Sequence, residues 1–330
     1  MKKNPFLNNN IKLYNSDSIE LYDYWESPIV IVSDGPYGVK GYPGDLSDDH
    51  DLSKWYEPHI CEWTKHSTPL TTLWFWNTEQ GWANVHPILE QYGWKFKACN
   101  IWDKGKGHIA GNVNTKTLSH FPVVTEVCVQ YVKEPFFYNK SGAKLEIKKW
   151  LREEWERSGL PLSKTNSACD VKNAATRKYF TQCNLWYMPP PDAFEKLVNY
   201  ANVHGKEEGK PYFSIDGNIS LTSNDWKNLR AKFYCPFGHN NVWSIPQLKG
   251  KERLKIKGKT LHLNQKPLSL IDLIITSSSD ENDVIWDPFG GLFTSAVSCI
   301  QNNRKCYSSE LNPDIYEFGV KRISELLQFE

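Results

Sequence analysis

The sequence has almost no net charge, since 39 Lys and Arg residues face 38 Asp and Glu residues over 330 residues and leave +1. A basic surface for a nucleic acid or a membrane therefore has to be local. No run approaches the roughly 18 apolar residues of a membrane span, and internal repeats and low-complexity tracts are absent. These absences exclude membrane-spanning, repeat and disordered classes. A globular chain of this length predicts roughly two domains of about 150 residues each.

The eight cysteines are scattered and form no Cys-x-x-Cys pair. Cys235 and His239 lie four positions apart without a second pair to complete a tetrahedral zinc site, which favours a plain thiol. The acidic segment 45–51 fits a solvated loop, and we predict no metal site. Residues 1–5 lack the apolar segment of a secretory signal, so we expect reduced thiols and a cytoplasmic location.

Short apolar runs alternate with helix-like segments in the first third and near the end of the chain. The candidate strands are residues 27–33, 71–76, 123–132, 284–286 and 305–307. Their continuous β-branched or aromatic character is typical of strands buried on both faces. Helical patterns cover residues 294–301 and 314–327. This alternation predicts an α/β fold with a doubly wound, mostly parallel sheet, which binds ligands beyond the carboxyl ends of its strands.

The middle of the chain, from about residue 133 to 261, is more polar and richer in helical patterns. Residues 147–155 have helical spacing, and shorter helical segments follow at 163–169 and 173–180. Two short helices joined by a tight turn fit a helix-turn-helix motif, with Lys172, Arg177 and Lys178 available to a DNA groove. A small helical subdomain with a solvated basic face accounts for the same residues equally well.

The first candidate motif is Asp34-Gly35-Pro36-Tyr37, which directly follows the strand predicted over residues 27–33. At the carboxyl end of a strand, Asp34 could accept a hydrogen bond from an amine while Tyr37 stacks on its ring. The same four residues are also ordinary turn formers. On its own, the motif leaves both interpretations open.

Two further motifs follow neighbouring strands near the end of the chain. Residues 287–291, Asp-Pro-Phe-Gly-Gly, lie between a strand and a helix, where glycines let the backbone approach a ligand. Glu310 follows about 20 positions later, at the spacing of an acidic residue that recognises ribose hydroxyls. The Gly-x-Gly-x-x-Gly of a Rossmann dehydrogenase is absent. Together these residues predict half of a nucleoside-cofactor site.

These motifs resemble those of the S-adenosylmethionine-dependent DNA amino-methyltransferases, which modify adenine N6 or cytosine N4. Their order resembles the circularly permuted β group, in which the catalytic motif comes first and the cofactor motif last. Residues 14–17 resemble the family's early acidic turn, residues 242–246 its Val-Trp segment and residues 262–268 its Lys-Pro segment. The resemblance covers nearly the whole chain.

The resemblance implies a Rossmann-like methyltransferase core built from residues 1–133 and 262–330, with a largely helical target-recognition domain at 134–261. It implies that residues 34–37 hold a flipped-out base and that S-adenosylmethionine is the methyl donor. The residues implied to surround this cofactor are Asp17, Lys266, Asp287, Pro288, Phe289, Gly291 and Glu310. Family habit implies a restriction-modification role.

The implied reaction is direct methyl transfer to an exocyclic amine. Such an amine is a poor nucleophile because its lone pair is delocalised into the ring, and hydrogen bonds to Asp34 and to the Gly35 carbonyl would free that lone pair. The family's cytosine enzymes more often begin this motif with serine, so Asp34 favours adenine N6, with cytosine N4 as the alternative. No cysteine follows a proline, which disfavours cytosine C5 methylation.

Two positions depart from the family pattern. Gly35 stands where proline is usual, and Phe293 stands where the cofactor motif has a glycine. These departures motivate a second hypothesis, a non-catalytic DNA-binding or specificity subunit with a decayed cofactor site. The retained acidic and aromatic residues of all three motifs favour an enzyme instead.

Double-stranded DNA is the implied partner, since the target amine becomes accessible only when the base is flipped out. Flipping costs about a few kcal/mol, which phosphate contacts have to offset. The predicted DNA-binding residues are Lys172, Arg177, Lys178, Lys251, Arg253, Lys255 and Lys257. A cognate restriction endonuclease and a homodimer stay open as further partners, and no membrane partner is expected.

Overall fold

The computed structural model describes residues 4–39, 51–105, 117–139, 141–183, 185–207, 209–249, 253–256, 259–260 and 265–328. The chain divides into two compact units, residues 1–133 with 231–330, and residues 134–230. The domain predicted from the sequence begins at the same residue as the second unit but extends to residue 261.

In chain order the strands are β1 (Phe6–Leu7), β2 (Ile11–Tyr14), β3 (Val30–Ser33), β4 (Thr72–Asn77), β5 (Trp94–Asp103), β6 (Thr125–Lys133), β7 (Phe136–Tyr138), β8 (Lys144–Glu146), β9 (Val242–Trp243), β10 (Lys255–Ile256), β11 (Lys259–Thr260), β12 (Val284–Asp287) and β13 (Lys305–Ser309). The α-helices are α1 (Leu52–His66), α2 (Glu79–Gln91), α3 (Ile147–Arg157), α4 (Lys164–Ala168), α5 (Ala174–Tyr179), α6 (Pro191–His204), α7 (Ser223–Lys227), α8 (Leu268–Ser278), α9 (Thr294–Gln301) and α10 (Pro313–Leu327). Two single turns of 3-10 helix, Ser18–Glu20 and Tyr22–Tyr24, follow β2.

The first unit is built on a nine-stranded sheet in the order β1-β2-β13-β12-β3-β4-β6-β5-β9. From β2 to β4 all neighbouring strands are parallel. β6 is antiparallel to β4 and β5, and β1 is antiparallel to β2. The carboxyl ends of β2, β13, β12, β3 and β4 therefore meet at one edge of the sheet. The amino end of β6 lies at the same edge, because Asn77 at the end of β4 pairs with Val127.

Both faces of this sheet are covered, which explains the continuous apolar character of its strands. Val30 and Val32 of β3 pack with α8, α9 and α10, whereas Ile31 packs with α1 and α2 on the opposite face. Alternate residues of a strand point to opposite faces, so both sets have to be apolar when helices lie on each side. The predicted doubly wound, mostly parallel α/β sheet is confirmed.

The second unit is largely helical and has its own core. It contains α3 to α7 and the β7-β8 hairpin. Aromatic rings form much of the core, with Phe194 stacked on Trp226 at 4.0 Å and Phe137 on Trp150 at 4.3 Å between ring centroids. The helix predicted to start at residue 147 is α3, and the two short helices predicted after it are α4 and α5.

Within the described ranges, no helix has the length and apolar character needed to cross a membrane.

Candidate functional site

The acidic residues of the motifs lie at one edge of the sheet. Asp34 follows β3, Asp287 ends β12 and Glu310 follows β13, while Asp17 lies in the turn after β2. Because these strands are parallel, their carboxyl ends bring the four residues to a common edge. Open α/β sheets bind their ligands at this edge.

Asp34 is held by the ammonium group of Lys266. The Lys266 Nζ lies 2.7 Å from Oδ1 and 2.9 Å from Oδ2 of Asp34, and its side chain is only 3% exposed. Burial lowers the pKa of Lys266, but the carboxylates of Asp34 and Glu126 more than offset this and raise it above its ordinary value. The lysine that the resemblance assigns to the cofactor thus contacts the predicted catalytic aspartate.

Glu126, at the start of β6, completes this cluster and was not among the residues predicted from the sequence. Its carboxylate lies 3.4 Å from the Lys266 Nζ and 2.8 Å from the Lys104 Nζ, and it is 13% exposed. Although burial raises the pKa of Glu126, the two lysines lower it below its ordinary value. A charged residue inside the apolar run 123–132 is the sequence signal that could have identified it.

Tyr37 joins the two carboxylates. Its hydroxyl lies 2.9 Å from the Asp34 Oδ1, 3.0 Å from the Glu126 Oε2 and 3.0 Å from the Lys266 Nζ. Burial and then the neighbouring carboxylates raise the pKa of Tyr37 well above its ordinary value, so the hydroxyl keeps its proton. The residue is 7% exposed. Stacking of a base on its ring stays a prediction.

The backbone of the 34–37 motif is fixed from two sides. The Tyr56 hydroxyl and the Asn77 side-chain amide both donate to the Pro36 carbonyl, each at 3.1 Å. A Cβ atom on Gly35 would lie 2.6 Å from the Tyr56 Oη and 2.9 Å from carbons of the Phe289 ring. Close packing against these aromatics therefore explains why glycine replaces the family's proline.

The loop after β12 is tied to the end of β13. The backbone N–H of Gly291 donates to the Glu310 Oε2 at 3.0 Å, and Gly291 has a φ of 52°, which favours glycine. The N–H of Phe289 lies 3.3 Å from the Asp287 Oδ1. Burial raises the pKa of both carboxyls, that of Asp287 to about 7. Pro288, which lies between Asp287 and Phe289 in the sequence, is buried.

Replacing Asp287 by Asn is expected to stabilise the protein by about 2–3 kcal/mol more at pH 8 than at pH 5. The folded-state pKa of about 7 lies above the ordinary 3.8, so the folded protein binds this proton more tightly than the unfolded chain. Stability is therefore lost as the pH rises from about 4 to about 7, and asparagine removes that loss. Denaturant unfolding of both proteins at the two pH values measures the effect. Asp280→Asn, at an exposed carboxylate, is the control, and an equal change at both pH values would contradict the expectation.

Phe293, at the position where the family pattern has a glycine, adopts a left-handed backbone conformation that favours glycine. Its φ is 56°, it is the N-cap of α9, and its side chain is fully buried. The ring packs edge-on against Tyr316 at 5.9 Å between centroids. A Cβ on Gly319 of α10 would lie 2.5 Å from the ring, so that glycine makes room for it. The bulky side chain thus packs into the core, while the backbone at Phe293 has a positive φ that a glycine also adopts.

Phe293→Gly is expected to lower the free energy of unfolding by about 2–4 kcal/mol, since loss of a buried ring costs about 3–5 kcal/mol and removal of the strain of a left-handed non-glycine residue recovers about 1 kcal/mol. Thermal or denaturant unfolding gives the value. Gly319→Ala provides the matched test of the contact: it should destabilise the wild type and have less effect in the Phe293→Gly protein. A variant more stable than wild type would show that strain outweighs packing at this position.

An aromatic cluster from α1 borders the motifs and was missed at the level of sequence. Rings of Trp55, Tyr56 and His59 lie 5.5, 6.1 and 5.1 Å from the ring of Phe289. Burial lowers the pKa of His59 to about 4, so the imidazole is neutral near pH 7. The spacing of these aromatic residues could have indicated that they share one face of a helix. Their proximity to Phe289 could not be predicted, because it depends on the fold.

The predicted DNA-binding residues are only partly described. Lys172, Arg177 and Lys178 are exposed on and just before α5. Arg253 donates from its Nε to the Leu248 carbonyl at 2.9 Å. Lys255 begins β10. Lys251 and Lys257 lie outside the described residues, as does most of the acidic segment 45–51.

Comparison with known proteins assigns the chain to a family. Residues 29–321 match the family model N6_N4_Mtase, described as DNA methylase. DNA adenine methyltransferase YhdJ of Escherichia coli (strain K12) is 33% identical over 92 residues, which is 27% of this chain and 30% of that protein. Type II methyltransferase M2.MboI of Moraxella bovis is 33% identical over 172 residues, 52% of this chain and 48% of that protein. The matches span about a quarter to a half of the length of these curated relatives.

Solved structures share the fold. A structure titled PvuII DNA methyltransferase (cytosine-N4-specific) has a TM-score of 0.53 at 12% identity, with 97% of this chain and 92% of that chain covered. The M1.HpyAVI-SAM complex has a TM-score of 0.50 at 16% identity and covers 95% and 98% of the two chains. With the match over residues 29–321, the expected family is confirmed: the chain belongs to the N6_N4_Mtase family of DNA methylases.

Proposed function

We propose that the protein transfers a methyl group from S-adenosylmethionine to the exocyclic N6 amine of an adenine flipped out of double-stranded DNA. The observation that carries this proposal is the position of the Asp34 carboxylate, which lies at the carboxyl edge of the sheet shared with Asp287 and Glu310. A hydrogen-bond acceptor for an amine thus lies at the same edge as the acidic residues suited to a nucleoside.

The residues at the ends of β12 and β13 fit this cofactor. Glu310 carries two backbone hydrogen bonds, from Gly291 and from Asn312 at 2.7 Å, which fix its carboxylate while further lone pairs can accept from ribose hydroxyls. Asp287 is 4% exposed and ends the adjacent strand, and the partly buried Phe289 ring would supply an apolar contact to a base. When bound, S-adenosylmethionine supplies an electrophilic methyl group on a sulfonium. The residues proposed to hold it are Asp17, Lys266, Asp287, Pro288, Phe289, Gly291 and Glu310.

The loop 34–37 fits the role of amine acceptor. The Asp34 carboxylate and the Gly35 carbonyl would accept the two N–H groups of the target amine and free its lone pair. Positive charge developing on the nitrogen would then lie beside Asp34. Glycine would ordinarily loosen such a loop, but the two hydrogen bonds to the Pro36 carbonyl restrain it.

Adenine is the proposed base because the motif begins with Asp34 and because a relative similar over part of the chain is named an adenine methyltransferase. Cytosine N4 methylation is the alternative that uses the same acceptors. The second hypothesis, a non-catalytic specificity subunit, is weakened because Gly35 fits the surrounding aromatic packing and because Phe293 has a positive φ that a glycine also adopts.

DNA would be bound by the exposed basic residues Lys172, Arg177 and Lys178, together with the segment containing Lys251, Arg253, Lys255 and Lys257. The type II names of several relatives support a restriction-modification role and a cognate endonuclease as partner. A homodimer is a further proposal. The second compact unit is the proposed target-recognition domain, because it carries the first of these basic clusters on its surface.

The direct experiment is expression in a bacterial host that lacks DNA methylation, followed by single-molecule sequencing of the host DNA. Modified adenine in one short sequence motif is the expected result. Modified cytosine would instead identify cytosine N4 as the amine that is methylated. If soluble protein leaves the DNA unmodified and calorimetry detects no binding of S-adenosylmethionine, the non-catalytic hypothesis is favoured over methyl transfer.

A further inference from the structure

The carboxyl edge of the sheet contains a balanced cluster of charges, largely removed from water, that the transfer of a methyl group does not itself require. Two carboxylates, Asp34 and Glu126, face two ammonium groups, Lys104 and Lys266, and the Tyr37 hydroxyl bridges the carboxylates. The side chains of both lysines are under 10% exposed. Charges removed from water in this way are costly unless each is paired, so the arrangement of the cluster is specific.

In the structure Lys266 occupies the acceptor that the target amine needs. Its Nζ contacts both oxygens of Asp34, and the Tyr37 hydroxyl adds a third hydrogen bond to Oδ1. An ammonium group at this distance also opposes the positive charge that develops on the amine during methyl transfer. We therefore expect methyl transfer to be faster if Lys266 moves away from Asp34 when the base binds.

Glu126 is placed to receive it. The Glu126 Oε2 is 3.4 Å from the Lys266 Nζ, against 2.7 Å for the nearer Asp34 oxygen, so a shift of about an ångström reverses the preference. The Tyr37 hydroxyl lies within hydrogen-bond distance of both carboxylates, so it can donate its single proton to either one as the lysine moves. The Lys266 Nζ also lies 5.2 and 5.4 Å from the ring centroids of Tyr37 and Trp76, which accommodate a cation along this path.

We propose that Glu126 is a positioning residue for methyl transfer, which accepts the Lys266 ammonium and so frees the Asp34 carboxylate for the flipped base. This inference rests on the proposed function and deepens it. Lys104 sets the balance, because its contact with Glu126 at 2.8 Å competes with Lys266 for the same carboxylate. Removal of Lys104 should strengthen the electrostatic attraction between Glu126 and Lys266. Removal of the Glu126 charge should abolish that attraction.

The test measures the single-turnover rate of methyl transfer from labelled S-adenosylmethionine to genomic DNA from the methylation-free host. Glu126→Gln is expected to lower this rate at least about tenfold, because Lys266 then has only Asp34 as a charged partner. The affinity for S-adenosylmethionine, measured by calorimetry, should stay within about twofold of wild type, since Lys266 keeps the contact with Asp34 that it has in this structure and no other residue proposed to hold the cofactor is changed. Glu126→Asp keeps the charge and should recover most of the rate. Glu325→Gln, the same change at an exposed ion pair of α10, is the control.

Lys104→Met separates positioning from a structural role. The proposal expects a rate about threefold above wild type in this variant, opposite in sign to Glu126→Gln. A purely structural ion pair predicts that both variants lose activity in proportion to a lower melting temperature. Equal losses in the two variants, or a Glu126→Gln rate equal to wild type, would overturn the inference while leaving methyl transfer intact. A wild-type protein inactive on this DNA would overturn the proposed function itself.

Discussion

Asp34→Asn is expected to reduce the single-turnover rate of methyl transfer by about a thousandfold, the upper part of the range for removal of one electrostatic contact to a transition state. Asparagine keeps the shape of the side chain and one acceptor oxygen but loses the negative charge beside the amine. That charge contributes most in the transition state, so the rate should fall much more than the affinity for the cofactor.

The measurement pairs single-turnover transfer to DNA with calorimetry of S-adenosylmethionine binding. The loss of charge leaves Lys266 with Glu126 as its remaining carboxylate, so thermal unfolding has to show that the variant is folded at the assay temperature. Asp280→Asn is the control, since that carboxylate is exposed and paired with Lys232 far along the chain from the motif. A rate within about tenfold of wild type would remove Asp34 from its proposed role.

Gly35→Ala is expected to lower both stability, by about 2 kcal/mol, and the transfer rate, by about a hundredfold. The added Cβ would lie 2.6 Å from the Tyr56 Oη and 2.9 Å from Phe289, and the Tyr56 ring cannot swing away because it is fully buried. Either the aromatics or the loop has to move, and a displacement of the Asp34 carboxylate would misplace the amine. A proline, the usual family residue, has a Cβ at the same position.

A double-mutant cycle with Tyr56→Phe tests this explanation. Removal of the hydroxyl costs the hydrogen bond to the Pro36 carbonyl, about 1 kcal/mol, but it also removes the nearest atom from the space of the new methyl group. The cost of Gly35→Ala should therefore be smaller by about 1 kcal/mol in the Tyr56→Phe protein. Additive costs would mean that Tyr56 is not the obstacle, and the matched change Tyr24→Phe, at an exposed tyrosine, should show no coupling.

The strands whose carboxyl ends form the edge with the motifs could be predicted because helices cover both faces of the sheet. A strand that is buried on both faces appears in the sequence as an uninterrupted apolar run, as in residues 30–32. The polar residue that follows each run then indicates where the strand reaches the edge of the sheet. Asp34, Asp287 and Glu310 were found in this way. Their order along the chain and the spacing between them carried the family resemblance.

The contacts among side chains could not be predicted, because they join residues that are far apart in sequence. Lys266 reaches Asp34 across 232 positions, and the pattern around each residue gives no sign of the other. Gly35 and Phe293 appear as departures for the same reason: the residues that explain them, Tyr56 and Gly319, belong to different helices. Glu126 was detectable in principle as a lone charge in an apolar strand, but its partners were not.

The sheet order has a consequence for synthesis of the chain. β2 and β3 leave the ribosome before β12 and β13, yet in the finished sheet β13 and β12 lie between them. Ile31 pairs with Trp286 and Leu13 with Ser308, so the central ladder closes only after these later strands have emerged. Until then the apolar edges of the early strands are unpaired, a state prone to association with other chains. Nascent chains of this protein should therefore depend on chaperones, and those truncated before β12 should be found in aggregates.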